Sequence, residues 1–208
     1  FRSGSNDDWG SAANAAQITA AAARVGAFAL PPNGRDSAQL TPLGAGSYTA
    51  QVTGKGAGTG IALMEAYDTS ASASAARLVN LSARAQVGTG ADILIAGFVV
   101  SGNIPKRLLI RGVGPALAQF GVGGLLADPQ LALYRQGGSS PMDQNDNWLT
   151  ATNSAQVGLA AGQVGAFALP PNSRDAALLV TLEPGTYTAQ VSGVGNTTGV
   201  ALVEIYEV

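Results

Sequence analysis

One segment of this chain occurs twice, and the spacing of the two copies constrains the fold more than any other feature. A separation of 139 residues recurs in four aromatic pairs: Trp9 and Trp148, Phe28 and Phe167, Tyr48 and Tyr187, Tyr67 and Tyr206. The alignment needs no gap from Asn6 to Tyr67, and identity is densest in VGAFALPPN and YTAQV. Solenoid repeats have periods of roughly 20 to 50 residues, so this is a duplication of a larger unit.

A different segment lies between the two copies, after a Ser/Ala-rich linker from Thr69 to Ala75. We call this segment the A half (residues 70–139) and the copies the B halves (residues 1–69 and 140–208). The order B, A, B predicts a B-type half module at 1–69, either incomplete or a small β domain, and one complete β-sandwich module at 70–208. Phe1 and Arg2 then correspond to the end of the strand LALYR at 131–135.

Alternating patterns and Gly/Pro turns predict many short strands. In Thr186–Ser192, Tyr187, Ala189 and Val191 fall on one face and polar residues on the other. The predicted strands of the complete module are 77–87, 93–101, 106–112, 131–136, 165–169, 176–182, 186–192 and 199–207, and those of the first B half are 26–30, 37–43, 47–53 and 60–68. Alanine-rich stretches predict one helix per B half, at 11–24 with Ser11 as N-cap, and a shorter one within 150–163.

This pattern predicts an all-β protein of antiparallel β-sandwich modules, Ig-like or jelly-roll-like, with one short Ala-rich helix per B half. The sandwich closes by pairing strands of the A half with strands of a B half. An alternative is that each half is a small β unit by itself, since Gly97-Phe98 with Asn103 matches Ala166-Phe167 with Asn172 faintly.

Composition narrows the possible partners. The formal net charge is −2, and the eleven Lys and Arg residues are scattered, so no basic stripe predicts nucleic-acid binding. The longest apolar run near the middle, Ile93–Val100, is too short to span a bilayer. Only 12% of residues are charged, which leaves little repulsion between copies and favours self-association.

The sequence favours a non-enzymatic role. It contains no His and no Cys, and it lacks the serine nucleophile motifs G-x-S-x-G and S-x-x-K. We therefore predict no catalytic residue, no cofactor and no metal site.

Three polar or aromatic features of the sequence bear on this prediction. Asp143–Trp148, DQNDNW, could begin a calcium loop, but the Gly and Glu of such a loop are missing, and an Asx-rich turn is the simpler interpretation. Trp9 and Trp148 could stack on a sugar, or each could be a core anchor beside a turn. Glu65 and Glu204 lie in apolar strands, which indicates ion pairs with Arg35 and Arg174 of the same halves, or a solvated edge.

The stretch LIAGFVVSGNIPKRLLIRGVGPALAQFGVGGLLADPQLALY, with NDNW and GTYTAQVSGVGNTTGVALVEIYEV after it, resembles repeat modules of large, mostly uncharacterised secreted or cell-surface β-proteins of environmental bacteria. The resemblance covers the A half and both B halves. It implies an extracellular, modular β architecture, and it transfers no activity or binding residue.

Three functions follow from these expectations. The first is a structural protein, a subunit or segment of a bacterial surface fibre in which a neighbouring chain supplies the strands that the first B half lacks. The second is a carbohydrate-binding or adhesive module of a larger secreted protein, with extracellular polysaccharide as its partner. The third is a piece of a long repetitive protein whose preceding A half is not included.

Overall fold

The computed structural model describes residues 4–70 and 78–208, which form two units, Phe1–Leu78 and Val79–Val208. Residues 1–3, which include Phe1 and Arg2, and residues 71–77, which include most of the Ser/Ala linker, lie outside the described residues. No helix in the described ranges is long and apolar enough to cross a membrane.

The second unit is an antiparallel β-sandwich of two four-stranded sheets, as predicted. Its strands are β1 (Asn80–Val87), β2 (Leu94–Val100), β3 (Lys106–Val113), β4 (Pro129–Arg135), β5 (Asp143–Asn145), β6 (Ala176–Leu182), β7 (Gly185–Gly193) and β8 (Gly199–Glu207). The first sheet has the order β1-β8-β3-β6, and the second has the order β2-β7-β4-β5.

Strands from the A half and the B half alternate across both sheets. β1 to β4 belong to the A half and β5 to β8 to the B half, and each of the six strand pairings joins one strand of each kind. β8 lies between β1 and β3, and β7 lies between β2 and β4. In the described residues of this unit, no strand pairs within its own half, so the halves are not separate β units.

The core between the sheets follows the period-two pattern of the strands. Tyr187, Ala189 and Val191 of β7 are buried as predicted, while the residues between them are partly exposed. They meet buried side chains of the A half such as Leu131 and Leu133 of β4. Both halves therefore contribute side chains to each of the two sheets that enclose this apolar core.

A second apolar layer covers the outer face of the first sheet. It is formed by helix α2 (Ser154–Gln163) and a 3-10 helix, Pro115–Phe120. Val157 and Ala160 of α2 and Leu117 of the 3-10 helix pack there with Leu109 of β3. β3 is consequently buried on both faces, which agrees with its nearly continuous apolar sequence.

The first unit contains helix α1 (Ala15–Val25) and short 3-10 helices at Trp9–Ser11 and Lys55–Ala57. Within residues 4–70 it contains no strand, so the strands predicted at 26–30, 37–43, 47–53 and 60–68 are wrong for this structure. The physical reason is in the second copy, where β6, β7 and β8 pair only with A-half strands. In the first copy, none of the described residues 4–70 is paired in a sheet.

Smaller differences concern the ends of elements. Residues 165–169 are not a strand either, and β5, which the sequence analysis missed, is a three-residue edge strand. α1 begins at Ala15 after N-cap Asn14, because the chain turns first through the 3-10 helix at Trp9–Ser11. Ser11 is thus not the N-cap; its hydroxyl donates to the Asp8 carbonyl. α2 is one residue shorter than α1, as its glycines indicated.

Candidate interaction surface

The helix and turn region of the B sequence has the same local hydrogen bonds in both copies. Trp148 donates its indole N–H to the Pro170 carbonyl at 3.1 Å, and Trp9 donates to the Pro31 carbonyl at 3.0 Å. The backbone amides of the two tryptophans also donate to equivalent carbonyls, those of Asp175 and Asp36. This part of the B half is therefore fixed by contacts within the half itself.

The asparagine of the NDNW motif holds the same turn in both copies. The Asn145 side-chain oxygen accepts from the Ala177 amide at 3.0 Å, and its nitrogen donates to the Asn147 carbonyl at 3.0 Å. In the first copy, Asn6 makes the equivalent bonds to the Ala38 amide and the Asp8 carbonyl. The motif thus acts as an Asx-rich turn that attaches the loop before the helix to the segment after it.

These hydrogen bonds bear on the interpretation of the NDNW motif and of the two tryptophans. Trp9 is buried, and Trp148 is partly buried against the outer apolar layer, so both side chains act as anchors in their own unit. No group of three or more His, Cys, Asp or Glu side chains that could hold a metal occurs in residues 4–70 and 78–208. The hydrogen bonds of Asn145 and Asn6 favour the interpretation as an Asx-rich turn, and the packing of the two tryptophans favours their interpretation as anchors.

A buried ion pair joins the two halves of the complete module. Arg111 of β3 is fully buried and donates from Nε and Nη2 to Oε2 of Glu204 on the neighbouring strand β8. Tyr206 donates its hydroxyl to Oε1 of the same carboxylate at 2.8 Å. The Arg111 guanidinium also donates to the Phe167 carbonyl and lies 4.3 Å from the centroid of the Phe167 ring. This set of bonds satisfies most polar atoms of both charges.

The environment of Tyr206 keeps its hydroxyl protonated. Burial, followed by the hydrogen bond to Glu204, raises the pKa of Tyr206 from 10.0 to about 12. The hydroxyl is therefore a donor to the carboxylate at any physiological pH.

Two further salt bridges also connect the A half with the B half. Lys106 of β3 pairs with Glu207 of β8 at 2.8 Å, and Arg174 pairs with Asp128 at 2.7 Å. The predicted pairing of Glu204 with Arg174 is therefore wrong. Each of these two residues finds its partner in the A half rather than in its own half.

Asp175 provides another connection between the halves. Its side chain is fully buried, and its two carboxylate oxygens accept hydrogen bonds from the backbone amides of Gly114 and Ala116. These amides lie at the start of the 3-10 helix Pro115–Phe120 of the A half. In the first copy, the equivalent Asp36 is exposed.

The first B half exposes the apolar positions that the second copy buries. We define the open B surface as seven side chains, each at least 41% exposed: Leu43, Tyr48, Val52, Ile61, Leu63, Met64 and Tyr67. Five of their counterparts are buried, namely Leu182, Tyr187, Val191, Val203 and Tyr206, and the other two, Val200 and Leu202, are partly buried. The apolar character of this surface was visible in the sequence, whereas its exposure was not.

The same half retains the charges that join the halves in the second copy. Glu65 corresponds to Glu204, Asp68 to Glu207 and Arg35 to Arg174, and all three first-copy residues are exposed. Tyr67 donates its hydroxyl to Glu65 at 2.9 Å, as Tyr206 does to Glu204. Asp68 accepts a hydrogen bond from the Ser70 amide, which lowers the pKa of its carboxyl and keeps it charged.

The sequence indicated Glu204 and Arg174 as candidates for ion pairs, but Glu207 and the A-half partners Lys106, Arg111 and Asp128 were missed. A usable signal for Arg111 was its position in the apolar strand LLIRGV, which resembles that of Glu204 in VALVEIY. An unpaired buried charge is strongly destabilising. Two single, opposite charges in apolar strands are therefore expected to form an ion pair with each other.

One open groove of about 440 Å³ lies at the edge of the second sheet. Its polar lining includes Gln130, Asp143, Gln144, Asp146 and Thr150. The lining offers hydrogen-bond donors and acceptors for a polar ligand, and it contains no aromatic ring on which a sugar could stack.

Comparisons with known proteins transfer no family and no function to this chain. No family model and no curated protein matches the chain. Among solved structures, it is similar to the pre-peptidase C-terminal domain of a collagenase from Bacillus anthracis, with 12% identity over 61% of this chain and 89% of that chain and a TM-score of 0.38. A similarity this low supports no argument about fold or function.

Proposed function

We propose that the protein is an extracellular structural protein, a subunit or segment of a bacterial surface fibre that assembles by half-module complementation between chains. In this proposal it has no catalytic role. Its first B half receives an A half from a neighbouring chain, and the completed sandwich becomes the link between the two chains.

The alternation of A and B strands carries the proposal. Every described strand pairing in residues 79–208 joins an A strand to a B strand, so the strands of this B half have their partners in the A half. Burying each large side chain of the open B surface would contribute about 1.5–3 kcal/mol. An A half that binds there gains both this burial and the hydrogen bonds of two strands, β7-like and β8-like.

The A half of residues 70–139 already has a partner. Residues 1–208 contain two B halves and one A half, and this A half is paired with residues 140–208. In this proposal the first B half is therefore completed by a further A half, which a neighbouring chain supplies. Contacts of this head-to-tail kind need not close and can generate an open filament.

The test combines electron microscopy of the native material with light scattering. We expect regular filaments in the native material and loss of assembly when residues 1–69 are deleted, with residues 70–208 remaining a soluble monomer. Filaments formed equally well by the truncated protein would contradict complementation by the first B half.

A carbohydrate-binding or adhesive module is the second candidate, and the polar groove beside β5 is the observation that favours it. Substituting the exposed groove residues, as in Asp143→Ala with Gln144→Ala, should abolish retention on an insoluble polysaccharide without changing the unfolding transition. Retention that is unchanged by these substitutions would remove the groove from consideration.

A further inference from the structure

The two copies of the B sequence allow the partner of the open B surface to be specified beyond "an A half". We propose that the first B half selects its partner by charge: the incoming A half carries cations at the positions of Lys106 and Arg111 and a carboxylate at the position of Asp128. This inference rests on the proposed function and adds the rule by which the partner is recognised.

The second copy shows how these charges are used. Arg111 reaches Glu204 across adjacent strands, since the two residues are register partners in the β3–β8 pairing. Lys106 and Asp128 pair with Glu207 and Arg174 at other points on the A–B contact. Two of the salt bridges join β3 to β8, and the third joins the residue before β4 to the turn before β6.

The first copy has the complementary charges in place. Glu65, Asp68 and Arg35 keep the signs of Glu204, Glu207 and Arg174, although Asp68 has a shorter side chain than its counterpart. The ring equivalent to Phe167 is also retained, because Phe28 is present and 57% exposed. An arginine arriving beside Glu65 would therefore meet a carboxylate that already accepts from the Tyr67 hydroxyl, together with the Phe28 ring. Arg111 meets Glu204, which accepts from Tyr206, and the Phe167 ring in the same way.

Glu65 makes the selection strict in one direction. When strands close over the open B surface, this carboxylate is buried, and a buried carboxylate without a cation is strongly destabilising. An apolar or acidic residue in place of the arginine would leave it uncompensated. A partner lacking the cation is thus rejected even if its apolar face fits.

The experiment places a second copy of residues 79–139 directly before Phe1 of the full chain, so that the added Arg135 is as far from Asn6 along the chain as Arg135 is from Asn145 in the complete module. Completion is measured by hydrogen exchange in residues 47–53 and 60–68, the counterparts of strand segments in β7 and β8. We expect exchange in these segments to slow by at least tenfold relative to the unextended chain. The original chain, which has the same open surface and no added half, is the control.

Charge reversal then tests the rule. Arg111→Glu in the added copy, or Glu65→Arg in the first B half, should remove the protection, and both changes together should restore part of it. Because the site formed by Arg111 and Glu65 would be buried, a more exposed pair is reversed in a second double variant. This variant combines Asp128→Arg in the added copy with Arg35→Asp in the first B half. A reduction by each single change and recovery in either double variant supports the inference.

The outcomes separate the inference from the proposed function. If the added half protects the first B half whatever the signs of these charges, selection by charge is overturned while complementation stands. If the unsubstituted added half gives no protection, both are overturned. If single reversals remove the protection and neither double variant recovers any of it, the charges do not act as pairs and the rule is overturned.

Discussion

Replacing Arg111 by methionine tests the contact at the centre of the A–B interface. Arg111 is fully buried and Glu204 is 5% exposed, so the substitution leaves an almost completely buried carboxylate with only the Tyr206 hydroxyl and no cation. Loss of one partner of such a pair costs about 3–5 kcal/mol. That is a large part of the 5–15 kcal/mol by which domains are usually stable, so we expect a marginal or unfolded module.

The double variant Arg111→Met with Glu204→Gln separates the buried charge from the lost contacts. Glutamine keeps an acceptor for Tyr206 and removes the charge, so the double variant should be more stable than Arg111→Met alone by at least about 1–2 kcal/mol. The matched control is Glu65→Gln, since Glu65 is exposed and its substitution should change stability by less than about 0.5 kcal/mol.

The assay for the Arg111 and Glu204 variants is urea unfolding followed by Trp148 fluorescence in a Trp9→Phe background, which reports on residues 79–208. Unfolding of the Glu65→Gln control is followed by Trp9 fluorescence in a Trp148→Phe background, because Glu65 and Trp9 belong to the first unit. A cost below about 1 kcal/mol for Arg111→Met would refute the argument, because it would mean that Glu204 is not held by this cation. The argument would also be refuted if the double variant lost as much as the two single variants added together.

Three other predictions use ordinary stability measurements. The pKa of Tyr206 is raised from 10.0 to about 12, so the stability that its protonated hydroxyl contributes is complete below pH 10 and is lost as the pH rises through 12. The free energy of unfolding should therefore fall more steeply over this interval in the wild type than in Tyr206→Phe, by up to about 2 kcal/mol. Asp175→Ala should lower the free energy of unfolding in urea by about 2–4 kcal/mol because it leaves two buried amides without an acceptor, whereas Asp36→Ala should lower it by under about 0.5 kcal/mol. Equal effects would contradict the role of Asp175 as a connection between the halves. Tyr187→Ala removes a buried ring, so it should cost about 3–5 kcal/mol of stability and lower the melting temperature, whereas Tyr48→Ala should leave the melting temperature nearly unchanged. A large effect of Tyr48→Ala would contradict this, because it would show that Tyr48 is already packed.

The complete module was largely predictable from local patterns. The alternation of Tyr187, Ala189 and Val191 indicated which face of β7 is buried, and Gly/Pro turns marked most strand ends. β5 was missed because it has only three residues and carries polar side chains. Such an edge strand lacks the apolar alternation that identifies longer strands.

The first B half could not be predicted from its own pattern. Residues 47–53 have nearly the same sequence as 186–192, yet only the latter form a strand in the described structure. Strand formation depends on partners that are distant in sequence, whereas turns depend on neighbouring residues. This explains why the turns at Trp9 and Trp148 are alike while the sheets are not.

For the same reason, the sequence indicated B-half residues of the interface ion pairs and not their A-half partners. Glu204 stood out as a lone carboxylate in an apolar strand, but nothing local indicated that its partner would be Arg111, 93 residues away. Pairing by proximity in the sequence favoured Arg174 instead. The register of β3 against β8 was needed to identify the partner.

The most direct test of the central claim is hydrogen exchange measured on native assembled material and on monomeric chains of residues 1–208. If a neighbouring chain completes the first B half, residues 47–53 and 60–68 will exchange rapidly in the monomer and, in the assembly, as slowly as residues 186–192 and 199–207. Rapid exchange of both segments in the assembled material would contradict the account.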